Sequence, residues 1–157
     1  MIYVIQTKPN REFDLLKELE RVGVKAFAPS ENRKIRYRGK WHTQNTLIFS
    51  GYVFVDLKYS PELFHEIHKL TGFIRFLGSP SPLSMTETEQ IKWLCNNGKP
   101  IETSHYRLEN GKAVFVDGVV LRLQHLITSF CLRQHRVKLR LTINGRSFNV
   151  SLPVEKI

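Results

Sequence analysis

The sequence of 157 residues predicts an α+β domain followed by a small all-β barrel. Up to about residue 98, short apolar strands alternate with three amphipathic helices, which is typical of an antiparallel-rich sheet with helices packed on it. From residue 111 onward, the pattern indicates short strands joined by tight turns. Residues 99–110 have no usable periodicity. We therefore expect two domains, 1–98 and 111–157, joined by a linker at 99–110.

The N-terminal half is predicted to begin with a strand, Ile2 to Thr7, followed by a helix that Asn10 caps. Gly23 ends this helix, because glycine readily adopts the left-handed conformation found at helix ends. Val24 to Ala28 then form a second strand. The apolar stripe of the helix is predicted to consist of Phe13, Leu16, Leu19 and Val22.

Residues 33–42 form a basic segment with a predicted hairpin tip at Gly39. Tyr37 and Trp41 lie between its positive charges, which suits both stacking on nucleic acid and contact with phosphates. A solvated hairpin explains the segment equally well, so both interpretations stay open. The basic residues are Arg33, Lys34, Arg36, Arg38 and Lys40.

The most apolar stretch of the chain is 46–57, which Ser50 and Gly51 interrupt. From Tyr52 onward it has the composition of a strand. The period of two places Tyr52 and Phe54 on one face and the intervening valines on the other. If the valines enter the core, the aromatic face is either covered by helices or left for a partner.

Two further helices complete the N-terminal half. Ser60 and Pro61 predict the start of one helix, and a capping box of Thr86 with Glu89 predicts the start of the other. Phe73 to Leu77 form a strand between them. The inward-facing residues are predicted to be Leu63, Phe64, Ile67 and Leu70 in the earlier helix, and Ile91, Leu94 and Cys95 in the later one.

The C-terminal half contains the clearest strand signals. Apolar residues alternate with polar ones along 137–143, and Asn144 with Gly145 predicts a tight hairpin to a return strand. Residues 113–116 form an earlier strand. Residues 119–130 fit a strand or a helix equally well, and we expect a strand because a small barrel requires one.

The charge of the chain points to an anionic partner. It carries a formal net charge of +10, and its sequence pI is about 9.9, which favours nucleic acid. Solubility alone, or a solvated outer face of the barrel, is the alternative interpretation. The C-terminal residues predicted to bind RNA are Lys112, Arg122, His125, Arg133, His135, Arg136 and Lys138.

Catalysis has little support in the sequence, and we expect no enzyme, no catalytic residue, no metal and no cofactor. Phosphate-binding glycine loops and nucleophile motifs are missing. His65 and His68 could chelate a metal from one helix face, but surface histidines are the better interpretation because no third ligand is evident.

A cytoplasmic protein is expected. The chain contains no run of about 18 apolar residues that would span a membrane, and its first residues lack the features of a signal peptide. Cys95 and Cys131 have no zinc-binding spacing, which suits reduced thiols.

Three motifs in order resemble the NusG family of transcription elongation factors. The chain opens with Tyr-Val-Ile-Gln-Thr-Lys-Pro at 3–9, which resembles the first strand of the family's NGN domain. Leu-Ile-Phe-Ser-Gly-Tyr-Val-Phe-Val at 47–55 is similar to its central signature, with Ser50 in place of the usual proline. The third motif is Gly-Phe-Ile-Arg-Phe-Leu-Gly at 72–78 with Pro-Leu-Ser at 82–84.

The resemblance implies an NGN-like domain that binds RNA polymerase, followed by a KOW-like, SH3-type barrel. The implied partner is the pair of clamp helices of the largest polymerase subunit, and the protein would act as a monomer. The residues implied for polymerase binding are Phe49, Tyr52, Phe54, His65 and Glu66. Those implied to face DNA of the upstream fork are Arg36, Arg38 and Lys40.

The C-terminal part departs from the usual KOW pattern. Arg122 and His125 stand where its loop normally has glycines, so the shape of that loop must differ. The chain is most similar to the LoaP-type specialised paralogs, which implies processive antitermination and binding of an RNA hairpin. The second hypothesis is a ribosome- or translation-associated RNA-binding protein that uses the same barrel.

Overall fold

A computed structural model describes residues 1–78 and 80–157. Within these residues the strands are β1 (Ile2–Thr7), β2 (Lys25–Phe27), β3 (Ser30–Tyr37), β4 (Lys40–Leu47), β5 (Tyr52–Asp56), β6 (Phe73–Phe76), β7 (Ser104–Glu109), β8 (Lys112–Phe115), β9 (Ile127–Cys131), β10 (Arg136–Ile143) and β11 (Arg146–Lys156). The α-helices are α1 (Glu12–Arg21), α2 (Pro61–His68), α3 (Met85–Cys95) and α4 (Gly118–Leu123). The chain divides into two compact units: 1–28 with 49–89, and 29–48 with 90–157.

The first unit contains an antiparallel sheet in the order β2-β5-β1-β6. This confirms the predicted antiparallel-rich sheet, and helices α1 and α2 contribute apolar residues to its core. The predicted start of α2 is also correct: Ser60 caps it by accepting a hydrogen bond from the backbone N–H of Leu63, and Pro61 occupies the first turn. Phe64 and Ile67 of α2 are buried as predicted.

The central strand β5 is buried on both faces. Val53 and Val55 lie in the core, as the alternation predicts. The ring of Phe54 is fully buried, stacked on Phe27 at 5.7 Å between centroids and edge-on to Phe49 at 5.4 Å. The chain's own rings therefore cover the aromatic face at Phe54.

Helix α1 differs from its prediction in both cap and register. Asn10 has a left-handed backbone (φ 62°) and is not the cap, which is Arg11 without a side-chain hydrogen bond. Leu15 and Leu19 are buried, whereas Phe13 is half exposed. The predicted stripe used steps of three residues. Each such step drifts by about 60° around a helix of 3.6 residues per turn, so the stripe could not stay on one face.

Helix α3 begins earlier than predicted. Ser84 and Glu87 form the capping box, with the N–H of Ser84 donating to Glu87 Oε1 at 3.0 Å and the N–H of Glu87 donating to Ser84 Oγ at 3.1 Å. The predicted pair of Thr86 and Glu89 lies inside the helix. Its buried residues, Ile91 and Leu94, are as predicted.

The second unit contains the hairpin β3-β4 and a five-stranded sheet in the order β8-β7-β11-β10-β9. The predicted alternation along β10 is confirmed, because Val137, Leu139, Leu141 and Ile143 are buried and the residues between them are exposed. Asn144 and Gly145 both have positive φ and join β10 to β11 in the predicted hairpin.

Two predictions for this unit are wrong. Residues 104–109, predicted as linker, form β7, which pairs with β8 and runs parallel to β11. The stretch 119–130, predicted as strand, is a strand only from Ile127. Residues 119–126 belong to α4 and to a 3-10 turn, so the C-terminal part is not all-β. Strand β7 pairs with its neighbour β8 across a tight turn at Asn110 and Gly111, both with positive φ, which is the same kind of hairpin signal as Asn144 and Gly145. Helix α4 depends on Ser104, which lies 16 residues before Val120.

The start of α4 is fixed by a close approach between Gly118 and Ser104. Ser104 is fully buried, and its hydroxyl accepts a hydrogen bond from the backbone N–H of Val120 at 3.1 Å. Gly118 has φ +81°, and a Cβ at this position would collide with the Ser104 side chain and Cα. Only glycine therefore allows β7 and α4 to meet in this way.

Substitution Gly118→Ala is expected to destabilise the fold by clearly more than Gly111→Ala. Gly111 has a similar φ of +77° but open space around its Cα, so its alanine variant reports backbone strain alone, about 1 kcal/mol. Gly118→Ala adds the steric collision. The measurement is the free energy of unfolding of both variants by denaturant titration. Equal losses would mean that Ser104 does not constrain this turn.

Candidate functional site

The hairpin β3-β4 presents positive charges and aromatic rings together. Arg36 pairs with Trp41 across the strands, and its guanidinium carbon lies 5.9 Å from the centroid of the indole ring. Arg38 at the tip lies 5.3 Å from the centroid of the Tyr37 ring. Trp41 is 67% exposed and Tyr37 is 58% exposed. Each of the two exposed rings therefore has an arginine guanidinium in cation–π contact with it.

The tip of the hairpin places a cation at its outermost point. Arg38 and Gly39 both have positive φ, which is the geometry of a two-residue type I′ turn. Lys40 follows on the return strand and is exposed. An exposed cation–π contact contributes only about 0.5–1 kcal/mol. Stability alone therefore gives a weak reason to expose a tryptophan and a tyrosine here.

The base of the hairpin is held by a buried ion pair. Glu31 of β3 has a side chain 4% exposed, and its Oε1 lies 2.8 Å from Nη2 of Arg136 on β10. Arg136 also donates from Nε to the Ser151 hydroxyl and from Nη2 to the Ser151 carbonyl, both at 2.7 Å. Nε of Arg33 lies 3.2 Å from the same Oε1 of Glu31. The backbone N–H of Ile101 donates to the Ser30 carbonyl at 2.8 Å.

Arg136 therefore has a structural role, and its predicted contact with RNA stays a prediction. Its side chain is only 13% exposed, and its guanidinium is directed to Glu31 and Ser151. The sequence could not indicate this, because Glu31 lies 105 residues away.

The other predicted RNA-binding residues lie in separate places. Arg133 and His135 are exposed in the turn between β9 and β10, and Lys138 is exposed on β10 opposite Ser129. Lys112 begins β8, at the other end of the strand order. Arg122 belongs to α4, and His125 lies in the 3-10 turn that follows it. The predicted set is therefore distributed over β8, α4 with its 3-10 turn, the β9–β10 turn and β10.

The residues predicted for polymerase binding are partly buried. Phe49 is 4% exposed and Phe54 has no exposure, whereas Tyr52 is partly exposed at the start of β5. His65 and Glu66 are exposed on α2, where Glu66 lies 3.7 Å from Lys69. Of the three aromatic residues, Tyr52 is the one that reaches the surface.

Of the two histidines of α2, His68 is held by contacts within the first unit. Nδ1 of His68 lies 2.6 Å from the Phe64 carbonyl, and its ring packs against Phe73. In residues 1–78 and 80–157, no three side chains of His, Cys, Asp or Glu are grouped so as to hold a metal ion. Over the same residues, none of the helices has the length and apolar character needed to span a membrane.

Two carboxyl groups have lowered pKa values, and both belong to structural turns. The backbone N–H of His105, at 2.8 Å, is the main cause of the lowered pKa of Asp117, and the His105 ring adds to it. The pKa of Glu62 is lowered by its own backbone N–H and by the Ser60 hydroxyl at the start of α2. The first contact links β7 to the residue before α4.

One cavity in the second unit has no counterpart in the sequence patterns. It has a volume of about 400 Å³ and is lined by parts of α3 and α4 and by the segment between α3 and β7. The guanidinium of Arg122 lies 5.3 Å from the centroid of the Trp93 ring, and Lys92 also lines the cavity. Because residues 119–130 are predicted as strand, the sequence does not predict the contact of Arg122 with Trp93.

Comparison with known proteins gives consistent matches along the whole chain. Residues 2–92 match the model of a family described as "Transcription termination factor nusG". The chain is 24% identical to the transcription termination/antitermination protein NusG of Helicobacter pylori, over 99% of this chain and 97% of that protein. It is 26% identical to the protein of the same description from Campylobacter jejuni, over 99% and 96%.

A solved structure shares the fold. "Domain interaction in Thermotoga maritima NusG" superposes with a TM-score of 0.60 at 21% sequence identity, and the match covers 97% of this chain and 92% of that one. At this identity the likeness concerns the fold alone.

Substitution Arg136→Ala is expected to lower the free energy of unfolding by about 3 kcal/mol, because it leaves the buried Glu31 carboxylate without its nearest cation. Arg140→Ala removes an exposed arginine from the same strand and is expected to change stability by less than about 0.5 kcal/mol. Chemical denaturation of both variants provides the comparison. A stable Arg136→Ala protein with weakened RNA binding would instead favour the RNA-binding role that the sequence predicts.

Proposed function

The chain belongs to the NusG family, and from this premise we propose that it is a transcription elongation factor of the processive antitermination type. It binds RNA polymerase through the unit that contains β5, and it binds nucleic acid through the hairpin β3-β4 and the C-terminal sheet. The observation that carries the nucleic-acid part is the exposed hairpin, with a guanidinium on each of its two aromatic rings. The curated relatives, named as termination/antitermination proteins, support the transcriptional part.

The proposed polymerase contact is the pair of clamp helices of the largest subunit. Tyr52 forms the surface of this contact. The rings of Phe49 and Phe54 are buried and pack edge to face on each other. The exposed His65 and Glu66 on α2 contact the other side of the polymerase cleft. An interface built in this way would depend on Tyr52, because interface energy concentrates in a few aromatic and arginine side chains.

The proposed nucleic-acid contacts divide between two elements. Arg36, Arg38 and Lys40 of the hairpin face DNA of the upstream fork, with Tyr37 and Trp41 available for stacking. An RNA hairpin is bound by exposed cations of the C-terminal part, as in the LoaP-type paralogs that the sequence resembles. After removal of Arg136, this set is Lys112, Arg122, His125, Arg133, His135 and Lys138.

The proposed mechanism requires no catalytic group. A factor that contacts both sides of the polymerase cleft binds the closed, elongating form more tightly than the open one. It therefore shifts the population toward elongation, by an amount equal to its difference in affinity for the two forms. Contact with RNA would raise the local concentration of the factor near the polymerase that transcribes that RNA.

Substitution Tyr52→Ala is expected to weaken binding to core RNA polymerase about tenfold, which corresponds to about 1.4 kcal/mol. Read-through of terminators in a single-round transcription assay should fall with it. Phe13→Ala is the matched control, since it removes a half-exposed ring from α1 of the same unit. Unchanged polymerase affinity in Tyr52→Ala would contradict the proposed contact. Co-purification of ribosomal subunits without polymerase would favour the translational alternative.

Replacing Arg36, Arg38 and Lys40 together by Gln is expected to weaken binding to forked DNA and to flatten its salt dependence. The slope of log affinity against log salt should fall by roughly 0.9 for each phosphate that the protein no longer neutralises. Fluorescence anisotropy at several salt concentrations measures both effects. The control replaces the exposed Lys17, Lys25 and Lys58 by Gln, which changes the net charge equally. If the slope falls equally in both triple variants, the hairpin is not the binding element.

A further inference from the structure

The cavity between α3 and α4, here called the Trp93–Arg122 pocket, has the composition of a ligand site. Its volume of about 400 Å³ falls in the usual range for small-molecule sites. Trp93 is half-buried on α3 next to Leu94, which is fully buried. Arg122 extends from α4 and lies over the indole ring. The pocket therefore combines a flat aromatic surface with a cation.

The walls of the pocket are held by contacts on each side. The Asn96 amide nitrogen donates to the Pro100 carbonyl at 2.8 Å, and Asn96 and Asn97 both have left-handed backbones (φ 50° and 55°). On the opposite wall, the hydroxyl of Ser104 holds the first turn of α4 through the N–H of Val120. Both walls are thus positioned by the chain's own hydrogen bonds.

The charges at the pocket favour an anion. Lys92 and Arg122 are exposed, and in the described part of the chain neither has a carboxylate within ion-pair distance, although Glu102 also lines the pocket. A cation that is exposed and unpaired beside an aromatic ring can bind phosphate while the ring stacks on a base. The amide of Asn97 and the carboxylate of Glu102 offer polar groups for a base edge.

We propose that the Trp93–Arg122 pocket binds one unpaired nucleotide, with its base on the Trp93 ring and its phosphate at Arg122 and Lys92. The source of this nucleotide is a single-stranded segment of RNA, such as the loop or flank of a hairpin. The choice of RNA as the source rests on the proposed function. The binding of a nucleotide in the pocket is argued from the pocket residues alone. Trp93 and Lys92 would then contact RNA, although neither belongs to the RNA-binding residues predicted from the sequence.

The experiment uses the full chain with Trp41→Phe, so that Trp93 is the sole tryptophan. Its fluorescence is titrated with a short single-stranded RNA, with the same RNA annealed to its complement, and with nucleoside monophosphates. The single strand is expected to quench Trp93, and the duplex to do so at least tenfold more weakly, because its bases are already stacked and paired. Anisotropy of labelled RNA, measured in parallel with the chain that retains Trp41, reports total RNA binding.

Two variants separate stacking from charge. Arg122→Gln is expected to raise the midpoint of quenching about tenfold, whereas Arg122→Lys, which keeps the charge and removes the planar group, should give a smaller shift. Arg146→Gln removes an exposed arginine that does not line the pocket, and its quenching midpoint should be unchanged. Circular dichroism confirms that each variant is folded.

The outcomes distinguish this inference from the proposed function. RNA binding by anisotropy without quenching of Trp93 would overturn the pocket and leave the proposed function standing. Quenching by monophosphates with the same midpoint as RNA would support the nucleotide pocket and overturn RNA as its source. If no probe changes either the Trp93 fluorescence or the anisotropy, both the nucleotide pocket and the proposed RNA binding are overturned. An equal shift in Arg122→Gln and Arg146→Gln would reduce the effect to overall charge and overturn the specific site.

Discussion

The buried ion pair of Glu31 and Arg136 determines what the second unit can present to a partner. A carboxylate that is nearly excluded from water needs compensating charge, and Glu31 has two guanidinium groups within 3.2 Å. Arg136 also donates from Nε and Nη2 to Ser151. These additional hydrogen bonds offset part of the desolvation cost of the pair, and they favour one arrangement of its side chains. It fixes where the root of the hairpin joins the C-terminal sheet.

This arrangement separates the structural cations from those available for binding. Arg33 and Arg136 are engaged by one carboxylate at the root, while Arg36 and Arg38 lie further along the hairpin on exposed rings. The number of cations available to a partner is therefore smaller than the net charge of +10 suggests. The exposed cations that remain belong to several elements, with one group on the hairpin and others in the β9–β10 turn and on α4.

The parts of the fold that the sequence predicts well are those determined by neighbouring residues. Ser60 with Pro61, Asn144 with Gly145, and the alternation along β10 each act within a few residues, so their local signals are sufficient. Strand β7 has no alternation of its own. Its hairpin with β8 has a local signal in Asn110 and Gly111, whereas its parallel pairing with the distant β11 has none. The register of α1 is set partly by Glu12, which is buried and accepts a hydrogen bond from the N–H of Gly51 at 3.1 Å. An acidic residue at a helix start normally predicts exposure.

The candidate sites follow the same division. The basic hairpin is visible in the sequence because its charges and rings are adjacent, whereas the structural role of Arg136 and the partner of Trp93 depend on tertiary contacts. The ambiguous stretch 119–130 shows the physical reason. Its apolar residues satisfy both periods, so the choice falls to Gly118, whose missing Cβ admits Ser104 and allows that hydroxyl to hold the first turn of a helix. Once α4 forms, Arg122 lies over Trp93. A strand would give Arg122 a different position and would leave the indole without a cation, so the pocket exists only because the helix does.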